Sequence, residues 1–327
     1  MLEDDSFNSE NKYDKILIIA DPHGLINELK EFIGNMQELY GNTIAYCIQL
    51  GDFWKGRNVV FGKKTFNFWK DLTAFYDLPF PIYCIKGNED INIPDEWWKS
   101  GMISLLPNLQ DFMLEDFRVI PIDYFEEDPK FYKKMGIKKF VRLSPPPKFM
   151  QDQYYPFYDF EPRDDVEPHP VLTSEEPIDF VLSHVPAYGL LDKTRDAKTH
   201  KEIRFTGNKF IRLVIDRRRP KIVFFGHNHF ANYQIFGDML VISCDKFVRK
   251  IPAWADESYL SKKSRKRRHF KKKLKDKSKK KDKDEKNLFS YCLIQKTEQG
   301  QILEMYRCDK LIFRYDINDK NILLSRV

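Results

Sequence analysis

Short apolar runs separated by polar turns recur along the chain, and five of them stop in the same way. Residues 15–20, 43–50, 81–86, 178–183 and 221–225 are each rich in Ile, Val, Leu, Phe, Tyr or Cys and have the length of buried strands. Between the first and second runs, Leu25, Ile26, Leu29, Phe32, Ile33, Met36 and Leu39 repeat with a 3.6-residue period, which predicts a helix over 25–40. Phe66, Phe68, Trp69, Leu72 and Phe75 predict a second helix over 65–76, and residues 208–219 a third, stopped by Pro220. Residues 117–122 read as a further strand. Residues 233–236 and 239–243 flank Gly237-Asp238 as a hairpin, and strands resume at 289–296, 301–306, 311–315 and 322–324.

Each of the five runs is followed at once by a residue able to bind a metal. The sequences are D-P-H-G, G-D, G-N, H and G-H-N-H, carrying Asp21, His23, Asp52, Asn88, His184, His227 and His229. Loops at the carboxyl ends of strands bring distant residues together in open α/β sheets. Four of the chain's 7 histidines fall in these positions. A Gly-Asp or Gly-Asn after a strand is by itself ordinary turn chemistry, and a lone histidine is more often satisfied in a core or on a surface. Taken jointly, seven N/O donors suit two transition-metal ions sharing one carboxylate.

Between 125 and 177 the periodicity is lost and Pro and aromatics collect, as in Pro145-Pro146-Pro147 and Tyr154-Tyr155-Pro156-Phe157-Tyr158. Such a stretch inside a compact protein predicts a functional loop, here a lid packed beside the site. Residues 1–14 read as a disordered leader. Because ligand residues on both sides of 125–177 must meet, residues 15–327 are expected to form one domain, with insertions at 125–177 and 255–287.

Composition narrows the setting. The chain has 327 residues, enough for a sizeable core, and 42% hydrophobic residues exclude wholesale disorder. No apolar run is long enough to span a membrane, and the first residues are acidic and polar, unlike a secretory signal. Five scattered cysteines without a C-x-x-C point to a reducing compartment, and the expected location is cytoplasmic.

Charge is placed unevenly. Residues 262–286 hold 16 Lys/Arg against 4 Asp/Glu, a net of +12; with +6 for the whole chain, the remainder carries −6. Such runs usually stay solvated and disordered. As a binding element, Lys262, Lys263, Arg265, Lys266, Arg267, Arg268, Lys271, Lys272 and Lys273 would form an electrostatic clamp for nucleic acid or another polyanion.

These motifs resemble the calcineurin-like metallophosphoesterases, whose ordered signature is D-x-H, G-D, G-N-H-[E/D], a lone H and G-H-x-H. The matching segments are Asp21-Pro22-His23, Gly51-Asp52, Gly87-Asn88-Glu89-Asp90, Ser183-His184 and Gly226-His227-Asn228-His229. His184-Val185-Pro186-Ala187-Tyr188-Gly189 is similar to the family's H-x-P-P-x-G turn. The resemblance implies an α/β fold of two mixed β-sheets packed face to face and flanked by helices. It implies one metal on Asp21, His23, Asp52 and His229 and another on Asp52, Asn88, His184 and His227. Asp52 bridges, since a carboxylate has an oxygen for each cation. Mn would be the metal, with Fe, Zn or Ni as alternatives. The implied reaction is attack of a metal-bridging hydroxide on the phosphorus of a phosphate ester, with Asp52, Asn88 and Glu89 as catalytic residues.

The third motif departs from the pattern. Glu89 stands where the family commonly has a histidine that helps the leaving oxygen. Members with other residues there lean towards phosphodiesters, which makes a phosphodiesterase the expected function. The arginine-bearing G-D-x-x-D-R-G pattern of protein phosphatases is absent. Arg57, displaced by one, and His200, ahead of the third helix, are candidate substrate contacts. A sharper alternative is a lariat-debranching-like nuclease: Gly51-Asp52-Phe53 with Arg57-Asn58, and Cys244-Asp245-Lys246, are similar to such enzymes, and the basic segment would suit RNA. A third possibility is a catalytically silent scaffold on this fold, like the retromer subunit that shares it.

Overall fold

The computed structural model describes residues 14–54, 76–93, 95–99, 101–144, 155–192, 207–229, 231–247, 290–307 and 309–325, plus four two-residue strands. In the first sheet β1 (Lys15–Ile19), β2 (Ile44–Leu50), β3 (Ile82–Ile85) and β4 (Ile103–Leu105) run parallel. The second sheet carries β5 (Phe112–Leu114), β6 (Phe117–Ile122), β9 (Phe180–Ser183), β12 (Ile222–Phe225), β13 (Asn232–Phe236) and β14 (Met239–Ser243). Its order is β13-β14-β12-β9-β6-β5, parallel at the centre and antiparallel at both edges. A meander of β17 (Ser290–Thr297), β18 (Gly300–Arg307), β19 (Lys310–Asp316) and β20 (Asn321–Ser325) extends the first sheet through β1, giving eight strands. Small pairs complete the set: β7 (Ile137–Arg142) with β8 (Tyr158–Pro162), β10 (Thr194–Arg195) with β11 (Glu202–Ile203), and β15 (Ile251–Pro252) with β16 (Glu285–Lys286).

Alternation along the strands decides the layers. Ile16 and Ile18 of β1 face Phe224, Leu182, Leu240 and Ile242 of the other sheet, and these form the central core. Their neighbours Leu17 and Ile19 face outwards and are covered by Leu29, Phe32, Ile33 and Met36 of α1 (Ile26–Tyr40). Val223 and Phe225 of β12 face away from the central core onto Phe210, Leu213 and Val214, on the last helix before that strand. Strands buried on both faces read as continuous apolar runs, which is why these elements were visible in sequence. The two mixed sheets flanked by helices are those expected. Leu39, assigned to the apolar face of α1, is 65% exposed.

The 125–177 stretch departs from expectation, because it does contain regular elements. They are α2 (Pro129–Lys134), the β7–β8 ribbon and α3 (Pro170–Thr173). Their contacts among the described residues are with the second sheet's outer face and with α4 (Lys209–Arg218). Buried Asp216 of α4 accepts the Phe157 and Tyr158 N–H groups at 2.7 and 2.8 Å and pairs with Arg212 at 2.8 Å, while Arg212 donates to Tyr155 O at 2.8 Å. Order there comes from a distant helix and not from local periodicity, so the sequence pattern could not display it. The predicted 65–76 helix lies outside the described residues, except for Tyr76. So do Arg57, His200, residues 1–13 and the basic run 262–284. No described helix is long and apolar enough to cross a membrane.

Candidate metal centre

The loops after β1, β2, β3, β9 and β12 meet at one end of the two sheets, and the backbone laces them together. Asp21 N–H donates to Gly51 O at 3.3 Å, His23 N–H to Asp52 O at 2.8 Å, and Gly24 N–H to Phe53 O at 2.9 Å. Across the sheets, Gly226 N–H donates to His184 O at 3.1 Å and His227 N–H to Asp21 Oδ2 at 2.9 Å. Phe53 and Trp54 hold the β2 loop by plugging the outer core against Trp98, with ring centroids 4.8–6.1 Å apart. A Cβ at Gly87 would overlap the backbone nitrogen and carboxylate of Asp52, so only glycine permits this approach of the β2 and β3 loops.

All seven predicted ligand residues come together here. His23 Nε2 lies 3.2 Å from His229 Nε2 and 3.7 Å from Asp52 Oδ2. His184 Nε2 lies 3.1 Å from Asn88 Oδ1, 3.2 Å from His227 Nδ1 and 3.4 Å from Asp52 Oδ1. The tautomer of His184 follows from its other nitrogen, which sits 2.9 Å from Leu50 O and must donate to it. Nε2 is then an acceptor, surrounded by a carboxylate oxygen, an amide oxygen and the His227 ring nitrogen. Asp21 Oδ1 is buried with no hydrogen-bond partner. An unpartnered buried carboxylate oxygen is what a cation satisfies, and Asp21, His23 and His229, like Asp21, Asp52 and His184, present ligand atoms within 4.8 Å of one another.

The backbone is distorted at the same place. Asp21, His23, Asp52, His227 and His229 all have left-handed φ, of 50, 47, 51, 64 and 52°. Such a conformation costs a non-glycine residue of order 1–3 kcal/mol and concentrates at functional sites. Burial pushes Asp52 up to about 6 and Asp21 well above the usual carboxylate range, the latter also because Asp52 is close. Burial pushes His184 down to about 4. His229 is exposed at the mouth but crowded by protein, and desolvation, then Lys246, His227 and His184, push it down to about 4. Neutral imidazoles are the form that binds metal.

Three features were not read from the sequence. Asp90 is fully buried and accepts from Phe53 N, Trp54 N and Gly87 N at 3.0, 2.9 and 3.0 Å, fastening the Asp52 loop to the Asn88 loop. Its place in the third motif was the available signal. Glu89 Oε1 lies 3.4 Å from Asn88 Nδ2, which turns the Asn88 oxygen towards His184. Asn228 Nδ2 donates to Leu191 O at 3.0 Å and ties the G-H-N-H turn to the loop after His184.

The chain matches the family model for the calcineurin-like phosphoesterases over residues 14–231 and belongs to that family. No curated protein matches it. Among solved structures it is similar to TT1561 of Thermus thermophilus, at 11% identity and TM-score 0.44, covering 91% of this chain and 100% of that one. It is similar to GAP50, the anchor in the inner membrane complex of Plasmodium, at 11% identity and TM-score 0.45, covering 95% and 90%. Vps29 of Chaetomium thermophilum aligns at 10% identity and TM-score 0.35, covering 96% and 95%.

Proposed function

We propose that the protein is a dinuclear metal-dependent phosphoesterase acting on phosphodiesters. The observation that supports this most is the convergence of Asp52 Oδ1, Asn88 Oδ1 and His184 Nε2 with Asp21 Oδ1, a carboxylate oxygen buried without a hydrogen-bond partner. Asp21, His23, Asp52 and His229 would hold one divalent cation, Asp52, Asn88, His184 and His227 the other, with Mn the first choice. Two such cations, when bound, neutralise charge on phosphoryl oxygens and make water acidic enough to supply hydroxide near neutral pH. The chain's own part is to position: Asp90 clamps two ligand loops, and Glu89 orients the Asn88 amide.

Glu89 also restricts the leaving group. The imidazole that the family commonly places there is absent, so its general-acid help, typically worth ~10²–10⁴-fold, is missing at that position. Esters whose leaving group departs without a proton are favoured. The decisive experiment is a hydrolysis panel with Mn²⁺ added: aryl phosphomonoester, aryl and alkyl phosphodiesters, cyclic nucleotide, single-stranded RNA and branched RNA. Aryl diester should be cleaved fastest, and no metal-dependent turnover anywhere in the panel would refute the enzyme. Segment 262–286 supports a second reading, an RNA-directed nuclease of lariat-debranching type. It predicts branched RNA as the best substrate, with a loss on excising the segment that aryl diesters do not share. The silent scaffold fits worst, since all seven ligand residues are present.

Metal uptake should be pH-dependent with a known sign. Asp52, raised to about 6 in the metal-free fold, must lose its proton to bind, whereas His184 and His229, at about 4, are already neutral. Apparent Mn²⁺ affinity should therefore rise about tenfold per pH unit for each displaced proton between pH 5 and 6. Calorimetry in buffers of different ionisation enthalpy counts those protons. An affinity flat over that window would contradict Asp52 as a ligand.

A further inference from the structure

The strand β6 reaches the same end of the sheets as the five motif strands but carries no motif. It pairs in parallel with β9, Ile122 opposite Ser183, so Asp123 follows at the level of His184. Asp123 is half-buried, and its Oδ1 accepts the Lys86 N–H at 2.8 Å. In return, Tyr124 N–H donates to Lys86 O at 2.7 Å. Both backbone polar groups of Lys86 are thus held by the β6 loop, two residues before Asn88. Asp123 is anchored in its turn, because its N–H donates to Asn108 Oδ1 at 2.9 Å, on the link from β4 to β5. The Lys86 side chain extends the tie past Asn88, donating to Ile93 O at 3.0 Å and pairing with Asp95.

This pair of bonds spans the two sheets beside a ligand pair that does the same. Asn88 comes from the first sheet and His184 from the second, and Asn88 Oδ1 lies 3.1 Å from His184 Nε2. Holding Lys86 against β6, the neighbour of β9, sets how closely Asn88 approaches His184. The effect is confined to one half of the centre. Asp21 and His23 follow β1, Asp52 follows β2 and His229 follows β12, so the other half takes no ligand residue from the β3 loop. That loop touches Asp52 through Glu89 N–H, which donates at 2.7 Å to Oδ1, the oxygen on the His184 side. The Asp52 oxygen on the His23 side is Oδ2.

We propose that Asp123 is a positioning residue for one half of the centre: by holding Lys86 it sets Asn88 against His184 for the cation shared with Asp52 and His227. This role presupposes the dinuclear phosphoesterase reading. Groups that orient metal ligands from outside typically change affinity by ~10–100-fold when removed. In Asp123→Ala one Mn²⁺ equivalent should therefore bind about tenfold more weakly, and the other should stay within about twofold of wild type. Asp123→Asn keeps an oxygen that accepts the Lys86 N–H and should keep both affinities. In an Asn88→Ala background that half is already lost, so adding Asp123→Ala should change the remaining affinity by less than about twofold.

Calorimetric titration of metal-free, full-length protein with Mn²⁺ reads both affinities without turnover. Electron paramagnetic resonance distinguishes a coupled Mn pair from a single ion, and thermal denaturation verifies folding. Should Asp123→Ala not fold, Asp123→Ser carries the same test with the same expectations, since its hydroxyl stops short of Lys86. Equal weakening of both cations would make Asp123 a general support and overturn the proposal. Asp123→Asn behaving like Asp123→Ala would mean that charge acts and not the bond to Lys86, which overturns it too. A wild-type protein that takes up fewer than two Mn²⁺ would refute the dinuclear reading beneath it. Two cations held with wild-type affinity in both wild type and Asp123→Ala refute Asp123 alone.

Discussion

Asp52→Asn should abolish Mn-dependent hydrolysis of every phosphate ester, by about 10³-fold or more, and leave the fold intact. The two oxygens of Asp52 face different halves of the centre: Oδ1 lies 3.4 Å from His184 Nε2, and Oδ2 lies 3.7 Å from His23 Nε2. Asparagine keeps the shape but puts an NH₂ where one of the two cations needs an anionic oxygen, so bound metal should fall with activity. Metal-free stability should not fall above pH 6. The folded carboxyl is raised to about 6 from an ordinary value of 3.8, so its stabilising contribution is present below about pH 4 and lost as pH rises through 6. Asparagine has no such charge to bury. Elemental analysis, turnover and thermal denaturation of one preparation test all three statements, and near-normal turnover would sink the dinuclear reading.

Asp90→Ala should be the most destabilising single change near the centre. Three backbone donors, Phe53 N, Trp54 N and Gly87 N, lose their acceptor in a place closed to water. Each unsatisfied buried donor costs about 1–3 kcal/mol, so a loss of roughly 3–9 kcal/mol is expected, a large part of a typical domain's stability. The Asp52 and Asn88 loops would also part, and metal stoichiometry should drop. Burial raises the Asp90 carboxyl to about 7, against those three N–H groups that hold it down. The sign follows: the wild-type advantage over Asp90→Ala in metal-free protein is full below about pH 4 and shrinks as pH rises through 7. Denaturant unfolding at pH 5 and pH 8 measures it. An equal penalty at both values would mean that Asp90 keeps an ordinary carboxylate pKa.

How far sequence alone reached can be argued from particular residues. The strands ending at Ile19, Leu50, Ile85, Ser183 and Phe225 were legible because each is buried on both faces, between the sheets and under an outer layer, and so reads as an unbroken apolar run. The convergence of the seven candidate ligand residues was legible because they follow those runs directly. The left-handed backbone of Asp21, His23, Asp52, His227 and His229 was not, since non-glycine residues carry no local mark for it and only the packing of their loops holds them there. Short strands such as Ile103–Leu105 and Phe112–Leu114 were missed, being too brief to establish a period.

What the sequence determined by itself was therefore the family, the succession of the buried strands and the candidate site residues at their ends, because hydrophobic burial and the capacity to bind metal both depend on residue type and local spacing. Tertiary structure decided what depends on meeting. The regular elements within 125–177 rest on Asp216 and Arg212, which lie far along the chain. Asp90 is an ordinary acidic residue until folding brings it under three N–H groups from the loops after two strands. Coulomb forces and hydrogen bonds act between atoms that folding brings within a few ångströms, and no periodicity along one chain encodes which distant residues those will be.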